Sequence, residues 1–249
     1  MDTASIDAGH LTRIHDSLLA ARERRLLTSI AARLPQRISP DHLTSMGVAG
    51  GAVTGAGCIA AHWHTAWLLL AVLGLIINWF GDSLDGSLAR FRGIERPRYG
   101  FFVDQFSDVS AHFLMLFGLG LSPLMRFDTA LLALLGSLAI MFYGHLKLQF
   151  ARSWQVSHYG VGPTELRIVI ACGLVLATVA GIPSFHTPAG VLSLFDVVAV
   201  LVFAAAVGCI LIMFWTDRAK LALIDPPRGG VPAEVTMTNL DSVRTRVDV

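Results

Sequence analysis

Apolar residues fill most of the chain between residues 43 and 215, in blocks separated by short polar or proline-containing segments. The blocks run over 43–61, from 65 to the acidic residues that begin at Asp82, and over 101–121, 129–146, 166–182 and 191–215. A helix needs about 20 predominantly apolar residues to cross the hydrocarbon core of a bilayer. The pattern therefore predicts an all-α integral membrane protein with six transmembrane helices.

The first apolar block is rich in small residues. Its glycines are Gly47, Gly50, Gly51, Gly55 and Gly57. Small side chains let helices approach one another closely inside a membrane. We therefore expect this helix to pack tightly against its neighbours.

A different pattern precedes the first block. Between about residues 7 and 34, apolar residues recur near helical spacing, with charged residues between them: Leu11, Ile14, Leu18, Leu19, Leu26, Leu27, Ile30 and Leu34. This predicts an amphipathic helix lying on the membrane surface beside anionic lipids, ended by Pro35 and Pro40. The alternative is a soluble helix packed on a partner.

Three regions follow from these patterns. We assign residues 1–42 to a cytoplasmic N-terminal helix and linker, and residues 43–216 to a six-helix transmembrane domain. Residues 217–249 are assigned to a flexible cytoplasmic tail, because the Pro-Pro and Gly-Gly pairs and polar residues that follow Asp225 show no periodicity.

Composition and charge support a membrane location. The mean hydropathy is +0.62 and only 15% of the 249 residues are charged, which argues against a soluble globular protein. Of the 19 Lys and Arg residues, all but Arg126 fall in segments that six spans would place on one side. The positive-inside rule puts that side, with both termini, in the cytoplasm. Cys58, Cys172 and Cys209 lie in apolar blocks and indicate small buried hydrophobes with no disulfide framework.

Four acids stand where the second block ends and the third begins. Asp82 and Asp85 are three residues apart, and Asp104 and Asp108 are four apart, so each pair shares one face of a helix. Acids in a membrane segment are costly unless they bind something, and a cluster of carboxylates suits Mg²⁺ or Mn²⁺. The alternative for each acid is a salt bridge to a nearby arginine at the membrane interface.

The order of these residues resembles a known signature. Asp82-x-x-Asp85-Gly86-x-x-Ala89-Arg90, nine residues, and Gly100-x-x-x-Asp104-x-x-x-Asp108 match the motif of the CDP-alcohol phosphotransferases at eight positions. The segment Pro40-Asp41-His42-Leu43-Thr44 resembles the family's Pro-Asn-x-Leu-Thr segment, with Asp41 in place of the asparagine.

The resemblance implies a site and an activity. Two divalent ions, Mg²⁺ or Mn²⁺, would be held by Asp82, Asp85, Asp104 and Asp108, and Asp108 would also act as general base. The residues that would bind the nucleotide and the donor are Asp82, Gly86, Ala89, Arg90 and Gly100. The implied enzyme moves a phosphatidyl group from CDP-diacylglycerol to a polar alcohol and releases CMP. The same motif serves the opposite arrangement, in which a CDP-choline or CDP-ethanolamine type of donor transfers its headgroup to diacylglycerol.

The resemblance also implies a cellular location, an oligomeric state and a set of partners. We expect a homodimer in the bacterial inner membrane, with a CDP-linked lipid donor, a small polar alcohol and membrane lipids as partners and no nucleic acid. Two other classes stay open. One is a cation-coupled transporter, whose acids should lie near mid-membrane in broken helices. The other is a degenerate family member that acts as a scaffold.

A second polar cluster follows the fourth block. Its members are His145, Lys147, Gln149, Arg152, His158, Glu165 and Arg167. The functional hypothesis is an acceptor pocket in which Lys147, Arg152 or Arg167 meets an anionic group. The structural alternative is a helix that begins at Pro163. His62 and His64, in an earlier turn, are interpreted as polar caps in preference to ligands.

Overall fold

The computed structural model describes residues 12–14, 20–151, 153–155, 163–187 and 190–225. It contains seven α-helices: α1 (Ala20–Arg33), α2 (Pro40–Ala60), α3 (Leu68–Arg92), α4 (Pro97–Gly120), α5 (Phe127–Ala151), α6 (Pro163–Ala180) and α7 (Leu194–Ile224). A short 3₁₀ helix, Thr65–Trp67, leads into α3.

Helices α2 to α7 coincide with the six apolar blocks. Within the described ranges, four segments are long and apolar enough to cross a membrane: Pro40–Ala60, Thr65–Arg92, Phe127–Leu148 and Leu194–Ile224. Helix α4 carries charged residues in its first half, and the apolar part of α6 is shorter, Leu166–Ala180. The helical architecture agrees with the predicted membrane protein, while the passage of six helices through a membrane stays a prediction.

Four short strands depart from the all-helical prediction. Strand β1 (Thr12–Ile14) pairs in parallel with β2 (Ser153–Gln155), and β3 (Ser184–Thr187) pairs antiparallel with β4 (Gly190–Ser193). A helix over residues 12–14 was therefore a wrong prediction, and α1 begins only at Ala20. The β-branched residues of β1 suit a strand when a partner is present, and β2 lies too far along the chain to be recognised as that partner. Helix α7 continues to Ile224, so residues 217–224 of the predicted tail are helical, and the tail lies outside the described residues from 226 onward.

The apolar face of α1 is covered by the chain itself. Leu27 and Ala31 are buried in one cluster with Leu43 of α2 and with Leu84 and Leu88 of α3. The periodicity correctly predicted an apolar stripe at the C-terminal half of this segment. Because protein already covers the stripe, contact of α1 with the membrane surface stays a prediction for its other faces.

Arg92 ties the end of α3 to the segment that follows α1. Its guanidinium donates hydrogen bonds to the carbonyl oxygens of Leu34 (3.2 Å), Pro35 (2.9 Å) and Ile38 (2.5 Å). Carbonyl groups beyond a helix C-terminus lack intrahelical partners and carry partial negative charge, so a cation is a favourable partner there.

Glu23 joins three helices. Its carboxylate accepts hydrogen bonds from Trp79 Nε1 (2.9 Å) and Ser83 Oγ (3.2 Å) on α3 and from Thr164 Oγ1 (3.0 Å) on α6. All three contacts are partly buried. Glu23 therefore fixes α1 to the same face of α3 that meets α6.

We predict that Glu23→Ala lowers the free energy of unfolding by about 1–3 kcal/mol, because it leaves the indole N–H of Trp79 without an acceptor in a partly buried position. Thermal unfolding in detergent micelles measures the effect. Glu23→Gln keeps an acceptor oxygen and should lose less. Arg24→Ala, at an exposed neighbouring position, is the control, and equal stability of the alanine variants at 23 and 24 would contradict the prediction.

Helix α2 packs backbone to backbone on two neighbours. A Cβ atom added at Gly50 would lie 2.4 Å from the amide nitrogen of Asn78 on α3, and one added at Gly55 would lie 2.4 Å from the carbonyl oxygen of Leu114 on α4. One added at Gly118 of α4 would lie 2.3 Å from Cα of Gly55. Helices α3 and α4 each pack extensively on α2 and only slightly on each other. The expected tight packing of the first block is confirmed.

We predict that Gly118→Ala destabilises the fold by about 1–3 kcal/mol, because the added methyl group meets backbone that has no free rotamer to move away. The melting temperature in detergent measures this. Gly208→Ala is the matched control, since a Cβ at that position of α7 meets nothing within 4 Å. Equal melting temperatures for the two variants would refute the interpretation of α2 as tightly packed.

The other end of the bundle is held by Asp196. Its carboxylate accepts hydrogen bonds from the backbone amides of Arg126 (2.8 Å) and Ser193 (2.7 Å) and from the hydroxyl of Thr129. It therefore joins the connection before α5 to the start of α7.

Both histidines of the earlier turn act as caps, as interpreted. His64 Nδ1 accepts from the amide of Ala66, and His62 Nε2 lies 3.0 Å from the carbonyl oxygen of Leu121. Among the cysteines, Cys58 is buried as expected, whereas Cys172 is exposed and Cys209 intermediate, so the expectation of burial was wrong for Cys172.

The chain divides into two compact units after Gly208. In the described part of the second unit, Trp215 packs edge-on against Phe214 with ring centroids 5.9 Å apart. The guanidinium of Arg218 lies 5.1 Å over the indole ring. Such a cation–π contact suits an aromatic residue near the end of an apolar helix.

Candidate metal centre and active site

The helix ends that form the site are fixed by local sequence. Ser39 caps α2 by accepting a hydrogen bond from the His42 amide, while His42 Nδ1 accepts from the Ser39 amide (both 3.2 Å). Helix α3 ends at Gly93, whose φ of 64° is the left-handed conformation that favours glycine. Pro97 then begins α4. The chain thus reverses within residues 93–96 and brings the end of α3 beside the start of α4.

Three of the four predicted metal ligands meet across this turn. Asp82 of α3 and Asp104 and Asp108 of α4 each offer a carboxylate oxygen, and these oxygens lie within 4.8 Å of one another. All three residues are partly buried. Carboxylates this close repel one another unless cations or protons lie between them. Because all the donors are hard oxygens, the set fits Mg²⁺ or Mn²⁺.

Asp85 stands apart from this group. It is buried, and its carboxylate accepts hydrogen bonds from the Thr44 hydroxyl of α2 (2.7 Å) and from the backbone amide of Gly86. Asp85, the fourth predicted ligand, therefore lies one turn from Asp82 on α3 and is held by a hydrogen bond from α2.

A guanidinium lies beside the acids. Arg167 of α6 forms a partly buried salt bridge with Asp82, with 2.8 Å between Nη2 and Oδ2. The alternative in which the acids pair with arginines therefore holds for Asp82, although its partner comes from α6 and not from the adjacent loop. The loop residue Arg96 instead binds Asp41 (3.0 Å), which also accepts from the Tyr99 hydroxyl. Asp41, which replaces the asparagine of the Pro-Asn-x-Leu-Thr segment, thus holds the start of α4.

The residues predicted to bind the donor occupy both sides of the turn. The guanidinium of Arg90 covers Gly86, because a Cβ added there would lie 3.3 Å from Nη1 of Arg90. Ala89 is partly buried. Gly100 is exposed, and a Cβ there meets nothing within 4 Å. The space beside this glycine could admit a ligand, and no helix in the described part of the chain packs against it.

The predicted acceptor residues are only partly described. Arg167 lies at the acids, Lys147 is partly buried on α5, and Arg152 lies outside the described residues. His145 packs its ring 5.7 Å from that of Phe101 at the start of α4. Helix α6 does begin at Pro163, so the structural alternative for this segment is confirmed.

Sequence reasoning missed two polar residues at the site. Thr44, quoted only as part of a motif, holds Asp85. Asn78 lines a small cavity together with Thr44, Gly47, Val48, Asp82, Ser107 and Asp108. Asn78 precedes Asp82 by four residues and so shares its helix face, a spacing that could have identified it.

We predict that Thr44→Val destabilises the protein by about 1–3 kcal/mol, because a buried carboxylate loses its side-chain donor. Thr178→Val is the matched control, since the Thr178 hydroxyl bonds only the carbonyl oxygen of Leu174 in its own helix. Unfolding of both variants in detergent provides the comparison. A Thr44 variant as stable as the control would show that Asp85 finds an equivalent partner.

The chain is similar to a named enzyme. Over 102 residues it is 33% identical to archaetidylinositol phosphate synthase from Pyrococcus horikoshii. The aligned stretch covers 41% of this chain and 53% of the relative, so the similarity spans about half of that protein's length. No family model matches the chain. The relative supports the suspected resemblance to the CDP-alcohol phosphotransferases.

Proposed function

We propose that this protein is an integral membrane transferase that moves a phosphatidyl group from CDP-diacylglycerol to a polar alcohol and releases CMP. The observation that carries the proposal is the meeting of Asp82, Asp104 and Asp108 within 4.8 Å, between the two helices on which the motif places them. The named relative supports the same chemical class.

The acids are the proposed holders of two divalent ions. Asp82, Asp104 and Asp108 form the core of the set, and Asp85, oriented by Thr44, completes it from the next turn of α3 after Asp82. When bound, Mg²⁺ or Mn²⁺ would neutralise the diphosphate of the donor and the charge that develops during transfer.

Asp108 is the proposed general base. The oxygen of the acceptor hydroxyl attacks the β-phosphorus of the donor, and its proton passes to the Asp108 carboxylate. A new oxygen–phosphorus bond forms while the bond from the β-phosphorus to the bridging oxygen breaks, and CMP leaves with that oxygen and its electron pair. Correct placement of the hydroxyl supplies much of the rate, because a carboxylate near metal ions is a weak base.

The donor is proposed to lie over the turn between α3 and α4. Gly100 leaves room for the nucleotide, Gly86 and Ala89 are small residues beside it, and the guanidinium of Arg90 over Gly86 supplies a planar cation for phosphate oxygens. The open space at Gly100 and the position of Arg90 over Gly86 support this assignment.

The acceptor is proposed to be recognised by cations from α5, α6 and their connection: Lys147, Arg152 and Arg167. Arg167 is already at the site through its salt bridge to Asp82. Once Asp82 engages a metal ion, the guanidinium becomes available to an anionic group. The name of the relative describes a lipid phosphate with an inositol headgroup, which favours an acceptor such as inositol 1-phosphate.

Two alternatives remain as outcomes of the test. The motif serves equally a CDP-choline or CDP-ethanolamine donor with diacylglycerol as acceptor. A cation transporter is less well supported, because the acids lie on two unbroken helices and not within broken ones. We also propose the bacterial inner membrane, a cytoplasmic active site and a homodimer, on the charge distribution and the family resemblance.

The decisive experiment measures CMP release by the purified full-length protein in detergent with Mg²⁺ or Mn²⁺. One arm supplies CDP-diacylglycerol with glycerol 3-phosphate, serine, inositol or inositol 1-phosphate. The other supplies CDP-choline or CDP-ethanolamine with diacylglycerol. We expect metal-dependent release that requires one acceptor, and a fall of about 100-fold or more in Asp108→Asn.

Asp128→Asn is the control, because Asp128 is an exposed acid that pairs with Arg126 near the start of α5. It should retain full activity. Absence of CMP release with every pair, together with absence of nucleotide binding, would overturn the proposed function. Release in the second arm alone would reverse the direction of transfer and leave the roles of the acids unchanged.

A further inference from the structure

Asn78 has an unsatisfied oxygen at the inner edge of the acidic cluster. The residue is only 3% exposed, and its Nδ2 donates to the carbonyl oxygen of Gly47 (2.9 Å). That bond fixes the orientation of the amide, because the flipped group would set two oxygens against each other. Within the described part of the chain, Oδ1 is the buried side-chain polar atom that has no hydrogen-bond partner. Leaving a buried acceptor unsatisfied costs about 1–3 kcal/mol.

The cavity beside Asn78 is lined by acceptors. The Thr44 hydroxyl donates to Asp85 or to the carbonyl oxygen of Pro40, and the Ser107 hydroxyl donates to the carbonyl oxygen of Asp104 (2.8 Å). The hydrogens of both hydroxyls are therefore already used. The polar side chains around the cavity are left to present oxygen lone pairs, with those of Asp82 and Asp108 among them.

The cavity beside Asn78 lies farther from the α3–α4 turn than the centre of the acidic cluster does. Asn78 lies one helical turn before Asp82 on α3, and Asp108 lies one turn after Asp104 on α4. Both displacements lead away from the turn that joins the two helices. Gly47 closes the third side, where its lack of a side chain lets α2 bring a carbonyl oxygen to Asn78.

We propose that Asn78 Oδ1 is a further ligand for a divalent cation, held in this cavity together with the carboxylates of Asp82 and Asp108. The inference rests on the proposed metal-dependent function and adds a neutral oxygen ligand that the motif does not contain. Hard divalent ions readily combine amide and carboxylate oxygens. A water molecule could satisfy Asn78, but it would add no positive charge to that of Arg167, which forms its salt bridge with Asp82.

The test measures Mn²⁺ binding to the purified full-length protein in detergent, through the electron paramagnetic resonance signal of free Mn²⁺. Asn78→Leu and Asn78→Asp both lose the donor to Gly47, but only the aspartate keeps an oxygen directed at the cavity. We expect Asn78→Leu to weaken Mn²⁺ binding by about tenfold or more. Asn78→Asp should bind Mn²⁺ more tightly than the wild type, because it adds a charged ligand. The rise in melting temperature caused by Mn²⁺ should follow the same order.

The outcomes separate this inference from the proposed function. Wild-type affinity in Asn78→Leu, with weakened binding in Asp104→Asn, would overturn the ligand role of Asn78 and leave the metal-dependent function standing. If Asn78→Leu does not fold, Asn78→Asp decides, and unchanged or weaker Mn²⁺ binding in that variant overturns the inference. A wild-type protein that binds no Mn²⁺ would overturn the inference and the proposed metal dependence together.

Discussion

The site depends on how closely α2 approaches α3 and α4. The contact is made by backbone, since glycines on α2 face Asn78 and Gly74 on one side and Leu114 and Gly118 on the other. Two helices that hardly touch each other are thereby held at fixed positions by a third. The acids of α3 and α4 can meet without a direct helix–helix interface, and a small cavity lies beside Asp82 and Asp108.

Charge balance imposes the second constraint. Three carboxylates lie together in a partly buried site, and the guanidinium of Arg167 forms a salt bridge with one of them, Asp82. Burial of such a group of acids is favourable only when positive charge lies beside it. Because Arg167 belongs to α6, the charge of the site is linked to the position of a helix distant in sequence. Glu23 binds Thr164 on the same helix, so α1 contributes indirectly to the placement of Arg167.

The sequence predicted the features that depend on local pattern. Apolar blocks of membrane length located α2 to α7, and the spacing of Asp82, Asp104 and Asp108 predicted acids on shared faces. The pattern could not reveal pairings between distant segments, such as Thr44 with Asp85, Arg167 with Asp82 or Glu23 with Trp79. It failed at Thr12–Ile14 for the same reason, because the partner that makes this segment a strand lies beyond residue 150.

The position of α1 has a consequence for biosynthesis. This helix is made before α3, yet Leu84 and Leu88 of α3 cover its apolar stripe and Arg92 holds the residues that follow it. During synthesis from the N-terminus, the stripe has no partner until the α2–α3 pair has been made. The docking of α1 is therefore a late event in assembly, because it requires that α2 and α3 have already packed together.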